Sequence, residues 1–184
     1  YVLTKWQFRG SNVFFGLLLL SCFIPFQIVL IPMARILGIL GLAGSVSGLV
    51  MVHIIYGLGF TTLYFRNYYE NFPTELVRAA QIDGASFFQI FYRILLPSSG
   101  PIIVVSVIWQ FTGIWNEFAL INILVSKTEL KSLPLGIFKF SGSLSTDYGK
   151  QFAALTIGMA PMLIFYMVFR KQITKGVAAG AVKG

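Results

Sequence analysis

Glu75–Pro97 reads ELVRAAQIDGASFFQIFYRILLP. It holds Glu75, Arg78, Asp83 and Arg93, in a chain with only 14 basic and 6 acidic residues. Pro73 and Thr74 stand where a helix should start, because Pro suits a first turn and Thr a cap. Leu76, Ala79, Ala80 and Asp83 then fall on neighbouring turns of a short helix. Gly84 tolerates the left-handed conformation that ends helices. Ser86 can cap a second helix, with Phe87, Ile90, Phe91 and Ile94 on one face at i, i+3, i+4, i+7 spacing. Pro97 is expected to stop it. The stretch therefore predicts a helix–turn–helix of amphipathic pieces. Ala79, Ala80 and Gly84 are small, so another surface can approach the first helix closely. The plainer reading of the same pattern is a loop lying on a lipid surface.

On both sides the chain turns apolar. Hydrophobic residues make up 57% of it and charged ones 11%, with a mean hydropathy of +0.80. Soluble domains are nearer ~45–50% apolar and ~25% charged, so the composition is that of a membrane protein. The formal charge of +8 does not indicate nucleic acid, because the basic residues are scattered between apolar runs. Uncharged runs cover 10–34, 36–65, 94–116 and 151–169. A span needs about 20 predominantly apolar residues. Four spans are expected, at about 13–33, 45–65, 101–121 and 151–169, in a single domain over 1–184. Pro25 should kink or break the first. Gly38, Gly41 and Gly44 suggest a short loop with a re-entrant or partly helical turn. Gly44 with Gly48, and Ser45 with Leu49, form a modest helix-contact signal. Residues 122–150 read as a polar loop that is turn-rich over Phe140–Ser145, and 172–184 as a small, flexible tail.

Counting Lys and Arg on alternate loops orients the chain. Lys5, Arg9, Arg66, Arg78, Arg93, Arg170, Lys171, Lys175 and Lys183 lie on one side; Arg35, Lys127, Lys131, Lys139 and Lys150 lie on the other. The richer side is expected to be cytoplasmic, which puts residues 66–99 and the tail there. The chain opens on Tyr1 without an initiator Met or a signal-peptide pattern. The expectation is a fragment whose first part lies in a longer subunit.

At this point the central stretch acquires a family likeness. Ala79, Ala80, Gly84, Ile94, Leu96 and Pro97 fill the spacing A-A-x-x-x-G-x9-I-x-L-P, which resembles the EAA loop of ABC importer permeases. Ile82–Ser86 is similar to the sugar-importer branch of that family. So are Trp115-Asn116-Glu117-Phe118, which resembles its W-N-x-F, and the ending Gly180–Gly184. One departure stands out. Arg78 occupies the motif's Glu position, so the salt bridge of that Glu cannot be carried over. The resemblance implies an all-α, polytopic transmembrane helical bundle with a cytoplasmic helix–turn–helix coupling loop, lacking here the family's first two spans. It implies a maltose-type carbohydrate permease in the inner membrane of a bacterium or archaeon. Its partners would be a second permease subunit, two ATP-binding cassette ATPases, an extracytoplasmic solute-binding protein and membrane lipid. The coupling residues would be Glu75, Arg78, Ala79, Ala80, Asp83, Gly84, Ile94, Leu96 and Pro97.

The chain has no catalytic chemistry of its own to add. It lacks the G-x-x-x-x-G-K-[ST] phosphate loop, so energy must enter from outside the chain. His53 is the single His and Cys22 the single Cys, which argues against a metal site and an internal disulfide. No Ser, His and acid form a nucleophile pattern, and no cofactor is implied. His53 is expected to hydrogen-bond a neighbouring helix; proton movement is the sharper alternative. Glu117 reads as an interfacial or capping carboxylate. The alternative is that Trp109, Trp115, Asn116 and Glu117 reach a translocation path, where aromatic faces and polar groups suit a sugar. Three other functions compete with this one: a permease for another polar solute such as glycerol phosphate, an ion-coupled secondary carrier, and a structural membrane subunit. A carrier should show paired intramembrane acids and bases and a discontinuous repeat.

Overall fold

A computed structural model describes residues 1–138, 140 and 147–181, with side chains up to residue 172. All regular structure among the described residues is helical. α1 (Ser11–Phe23) and α2 (Phe26–Ile39) replace a single first helix over 13–33. Pro25 lies between them at φ −60° and ψ 124°. It lacks an N–H for the helical ladder and biases Ile24 away from α geometry, so the helix breaks and restarts. α2 then runs beyond the expected end at 33 into the expected loop, ends at Ile39 and closes on Gly41. That glycine sits at φ +68°, with Leu42 N–H on Leu37 O at 2.8 Å and Gly41 N–H on Gly38 O at 3.1 Å. This is the paired 6→1 and 5→2 closure of a Schellman turn.

α3 (Val46–Glu70) extends one turn beyond the expected 65. At about 1.5 Å per residue, its 25 residues span about 38 Å, more than the ~30 Å of a hydrocarbon core. The small residues near its start meet the chain's own turn. A Cβ on Gly48 would press on the backbone of Leu42.

α4 (Thr74–Ile82), α5 (Phe87–Ile90), a π turn (Phe91–Leu95) and α6 (Leu96–Ser98) form the central stretch. α7 (Gly100–Trp115) follows. The third span expected over 101–121 is not one helix: the chain opens at 116–118 and restarts as α8 (Ala119–Leu124). Side chains there compete for the helix ends. Asn116 Nδ2 donates to Thr112 O at 2.8 Å, and Glu117 Oε1 accepts from Leu120 N–H at 2.8 Å. A 3-10 turn (Thr128–Leu130) and α9 (Leu133–Phe138) follow. The expected turn-rich stretch falls outside the described residues except at Phe140.

α10 (Tyr148–Ala181) starts before and ends after the expected 151–169. Asp147 caps it, with Oδ1 accepting Lys150 N–H at 3.1 Å. The flexible tail expected from 172 is helical to Ala181. Propagating an existing helix needs no new nucleus, and each interior glycine costs only about 1 kcal/mol.

α3 and α10 are each long and apolar enough to cross a membrane, and the broken α1–α2 pair and the α5–α7 series pass the same test together. None of the most apolar stretch of α10 is buried within the chain. Large side chains such as Leu163, Ile164 and Met167 face outward, which carries no cost against lipid tails.

The described residues form two compact units, those of 1–23 with 57–108 and 172–181, and those of 24–56 with 109–171. In the first, Tyr69, Phe72, Val77, Ala80, Ile90 and Leu95 make the core. α1 packs against α3 there. A Cβ on Gly59 would lie 2.7 Å from Leu18 O and 2.9 Å from Ser21 Oγ, and Arg66 stacks its guanidinium 3.8 Å from the Phe15 ring centroid. In the second, one core joins Leu30, Leu37, Val52, Leu120 and Leu124, and another joins Ile121, Val125 and Leu135.

Candidate functional site

The central stretch is a small folded body with its own core. α4 turns its Val77 and Ala80 inward and leaves Glu75, Leu76, Arg78 and Ala79 exposed. Ala80 is 9% exposed and belongs to the core, so its small side chain is required within the chain. Of the three small residues expected to face a partner, Ala79 and Gly84 are on the outside. α4 ends in a second Schellman turn: Gly84 has φ +78°, Ala85 N–H reaches Ala80 O at 2.9 Å and Gly84 N–H reaches Gln81 O at 3.1 Å. A Cβ on Gly84 would meet nothing within 4 Å. Only the backbone conformation, and whatever docks there, demands glycine.

Ser86 and Gln89 form a reciprocal capping box that starts α5. Gln89 N–H donates to Ser86 Oγ at 3.4 Å and Ser86 N–H donates to Gln89 Oε1 at 2.7 Å. Ile90 is 1% exposed, and Phe91 and Ile94 pack beside it. Pro97 does not stop this helix. Ahead of it the chain widens into the π turn, in which Leu96 N–H bonds Phe91 O five residues back. One residue is inserted into the helical phase. The regular spacing therefore misses Leu95, which is fully buried, while Leu96 and Pro97 lie exposed.

Glu75, Arg78, Asp83 and Arg93 are exposed on this body, as are Leu76, Ile82, Phe88 and Tyr92. None of the four charges makes an ion pair with another described residue. Such a surface of free charges between apolar side chains is suited to a protein partner, with the charges setting register and the apolar groups supplying contact.

Spacing alone does not reveal what fastens the body to α3. Lys5 Nζ donates to Phe72 O and Thr74 Oγ1, each at 3.0 Å, bridging the α3–α4 corner. Tyr68 O–H donates to Ser98 O, and the Tyr69 and Ser99 hydroxyls meet at 2.7 Å. These pairs are some 30 residues or more apart in sequence, with no local pattern to mark them.

The residues proposed for a translocation path separate. Trp115 donates from Nε1 to Gly158 O at 3.3 Å and stacks on Phe111, which stacks on Phe165. Trp115 and Asn116 line a cavity of about 250 Å³ with Leu133 and Ile137 of α9 and Leu155 and Gly158 of α10. Glu117 is committed to capping α8. Trp109 is 58% exposed and does not line that cavity. His53 Nε2 is buried and has no hydrogen-bond partner among the described residues, unlike the helix contact expected for it. No cluster of metal-ligating side chains occurs among the described residues.

Known proteins match the chain over nearly its whole length. The chain is 35% identical over 184 residues to a probable ABC transporter permease of Bacillus subtilis, YurM, of which it covers 61%. It is 33% identical over 177 residues to the multiple sugar-binding transport system permease MsmG of Streptococcus mutans, covering 95% of this chain and 64% of that one. The chain thus spans less than two thirds of the length of these relatives. Its fold matches a chain in the crystal structure of a bacterial ABC transporter involved in import of the acidic polysaccharide alginate. The TM-score is 0.74 and the identity 23%, over 93% of this chain and 65% of that chain. The family model for the binding-protein-dependent transport system inner membrane component matches residues 2–178, and the chain belongs to that family.

Proposed function

We propose that this chain is a membrane-spanning permease subunit of an ATP-driven sugar importer, and that residues 66–99 are the cytoplasmic surface on which an ATPase subunit docks. The observation that carries this reading is the folded body of α4 to α6, with a sealed core and an outer face of unpaired charges and apolar side chains. A loop lying passively on lipid has no need of such a core. The permease reading is supported by the family, and the sugar assignment by the name of the Streptococcus relative. Trp115 and Asn116 are the residues we assign to the path, since an aromatic face and a side-chain amide suit a polyol. The remaining partners in this reading are a second permease subunit, a second ATPase and an extracytoplasmic solute-binding protein, in the plasma membrane of a bacterium or archaeon. An ion-coupled carrier is less well supported, because Glu117 caps a helix and His53 has no acidic hydrogen-bond partner among the described residues. The test is ATPase copurification with Gly84→Asp. The variant should insert normally and lose the ATPase at any salt concentration. Undiminished copurification would remove the docking reading.

A further inference from the structure

The coupling body is followed by a sharp bend. The helical run Phe87–Ser98 meets α7 (Gly100–Trp115) at 66°, and Ser99 between them has φ −79° and ψ 0°. A bend of this kind, left to itself, is a hinge that absorbs displacement. Here it is closed by a chain of hydrogen bonds. Ser99 Oγ donates its single proton to Leu95 O at 2.6 Å, so the 2.7 Å contact with Tyr69 has the tyrosine O–H as donor. Tyr69 is 3% exposed, and Ser99 and Leu95 are 0% exposed. Water cannot compete for this bond, and the Tyr69 hydroxyl left without Ser99 would be a buried, unsatisfied donor. On the next residue of each segment, Tyr68 O–H holds Ser98 O. Two consecutive residues of α3 thus grip two consecutive residues of the bend.

We propose that Tyr69 and Ser99 form a buried latch that locks the bend and makes the coupling body move as one piece with α3 and the start of α7. The proposal rests on the docking reading above and assigns these residues a positioning role. A push on the exposed face then reaches both helices at once instead of dissipating at Ser99.

The test places nitroxides at Gln81 and Val107, both exposed, in the complete subunit with Cys22 replaced by alanine. Distances are measured in detergent by double electron–electron resonance. The unaltered latch should give one narrow distribution. Tyr69→Phe and Ser99→Ala should each broaden it, and the double variant should be no broader than either, because both remove the same bond. In the assembled transporter, ATP with vanadate should change the mobility of a nitroxide at Val107. That change should fall on the order of fivefold in Tyr69→Phe, while the ATPase still copurifies. A merely misfolded variant would lose the ATPase as well, and that result counts against the latch. Unchanged distances and a full ATP response in both single variants overturn the latch and leave the docking reading standing. Failure of the unsubstituted subunit to retain the ATPase overturns both.

Discussion

Ala79 and Ala80 are adjacent and chemically identical, yet the fold gives them different work. Ala80 packs in the core with Val77, Ile90 and Leu95, whereas Ala79 lies on the exposed face. Ala80→Leu should overpack that core and lower stability by about 1–3 kcal/mol, measured by thermal unfolding in detergent. Ala79→Leu should leave unfolding within about 0.5 kcal/mol of the unsubstituted protein and instead reduce ATPase copurification. Equal stability losses in the two variants would contradict the assignment of faces. Gly84 differs from both, because its φ of +78° makes any side chain cost on the order of 1 kcal/mol in backbone strain. Arg78 is exposed and makes no ion pair among the described residues. Its partner surface should therefore offer an acid or no charge. Arg78→Glu should weaken ATPase copurification at low salt and do so less at high salt, where screening shortens the reach of charge. A loss independent of salt would point to shape instead of charge.

The helices owe their ends to short-range chemistry, and one such end titrates. Asp147 accepts the Lys150 N–H and pairs with Lys150 Nζ at 2.9 Å. The side-chain hydrogen bond from Lys150, reinforced by the backbone one, holds the Asp147 carboxyl below the ordinary carboxylate value. A depressed folded pKa means that the cap stabilises the start of α10 above the ordinary value of about 3.9 and is lost as pH falls through the lower folded value. Hydrogen exchange at the first turn of α10 should accelerate below about pH 4 relative to the intrinsic rate. Asp147→Asn, which caps without titrating, should abolish that pH dependence. An unchanged profile in the variant would show that another group is responsible. The π turn at Phe91–Leu95 works at the same scale. By inserting one residue before Pro97, it rotates Leu95 into the core and brings Ser98 and Ser99 within reach of α3.

For the whole molecule, the basic residues favour a cytoplasmic side that includes the coupling body. With Cys22 replaced, a cysteine at Gln81 should react only after the membrane is permeabilised, and one at Glu129 should react from outside. Both positions are exposed on the chain. Labelling of both from outside would reverse or refute the orientation. The apolar exterior of α10 also belongs at this scale. None of its most apolar stretch is buried within the chain, so lipid or another subunit must cover it in the membrane.

The all-helical class and the family were legible in the residues, as were the local signals at Pro25, Gly84 and Ser86. Each of those depends on a missing N–H, a tolerated φ or a side chain three residues away, and neighbours in sequence are enough to supply it. The break at 116–118 is not legible in hydropathy, because Asn116 and Glu117 split the mostly apolar stretch 101–121 into two helices by bonding to the helix ends. The helical continuation to Ala181 was missed because small and glycine-rich composition reads as flexible even where an established helix can propagate. Leu95 was hidden by the phase shift of the π turn. The partition of Ala79 from Ala80, the Lys5 brace and the Tyr69–Ser99 latch were decided by tertiary structure alone. They join groups that are close only after α3 and the helices of 74–98 have packed, and no sequence period connects residues 30 apart.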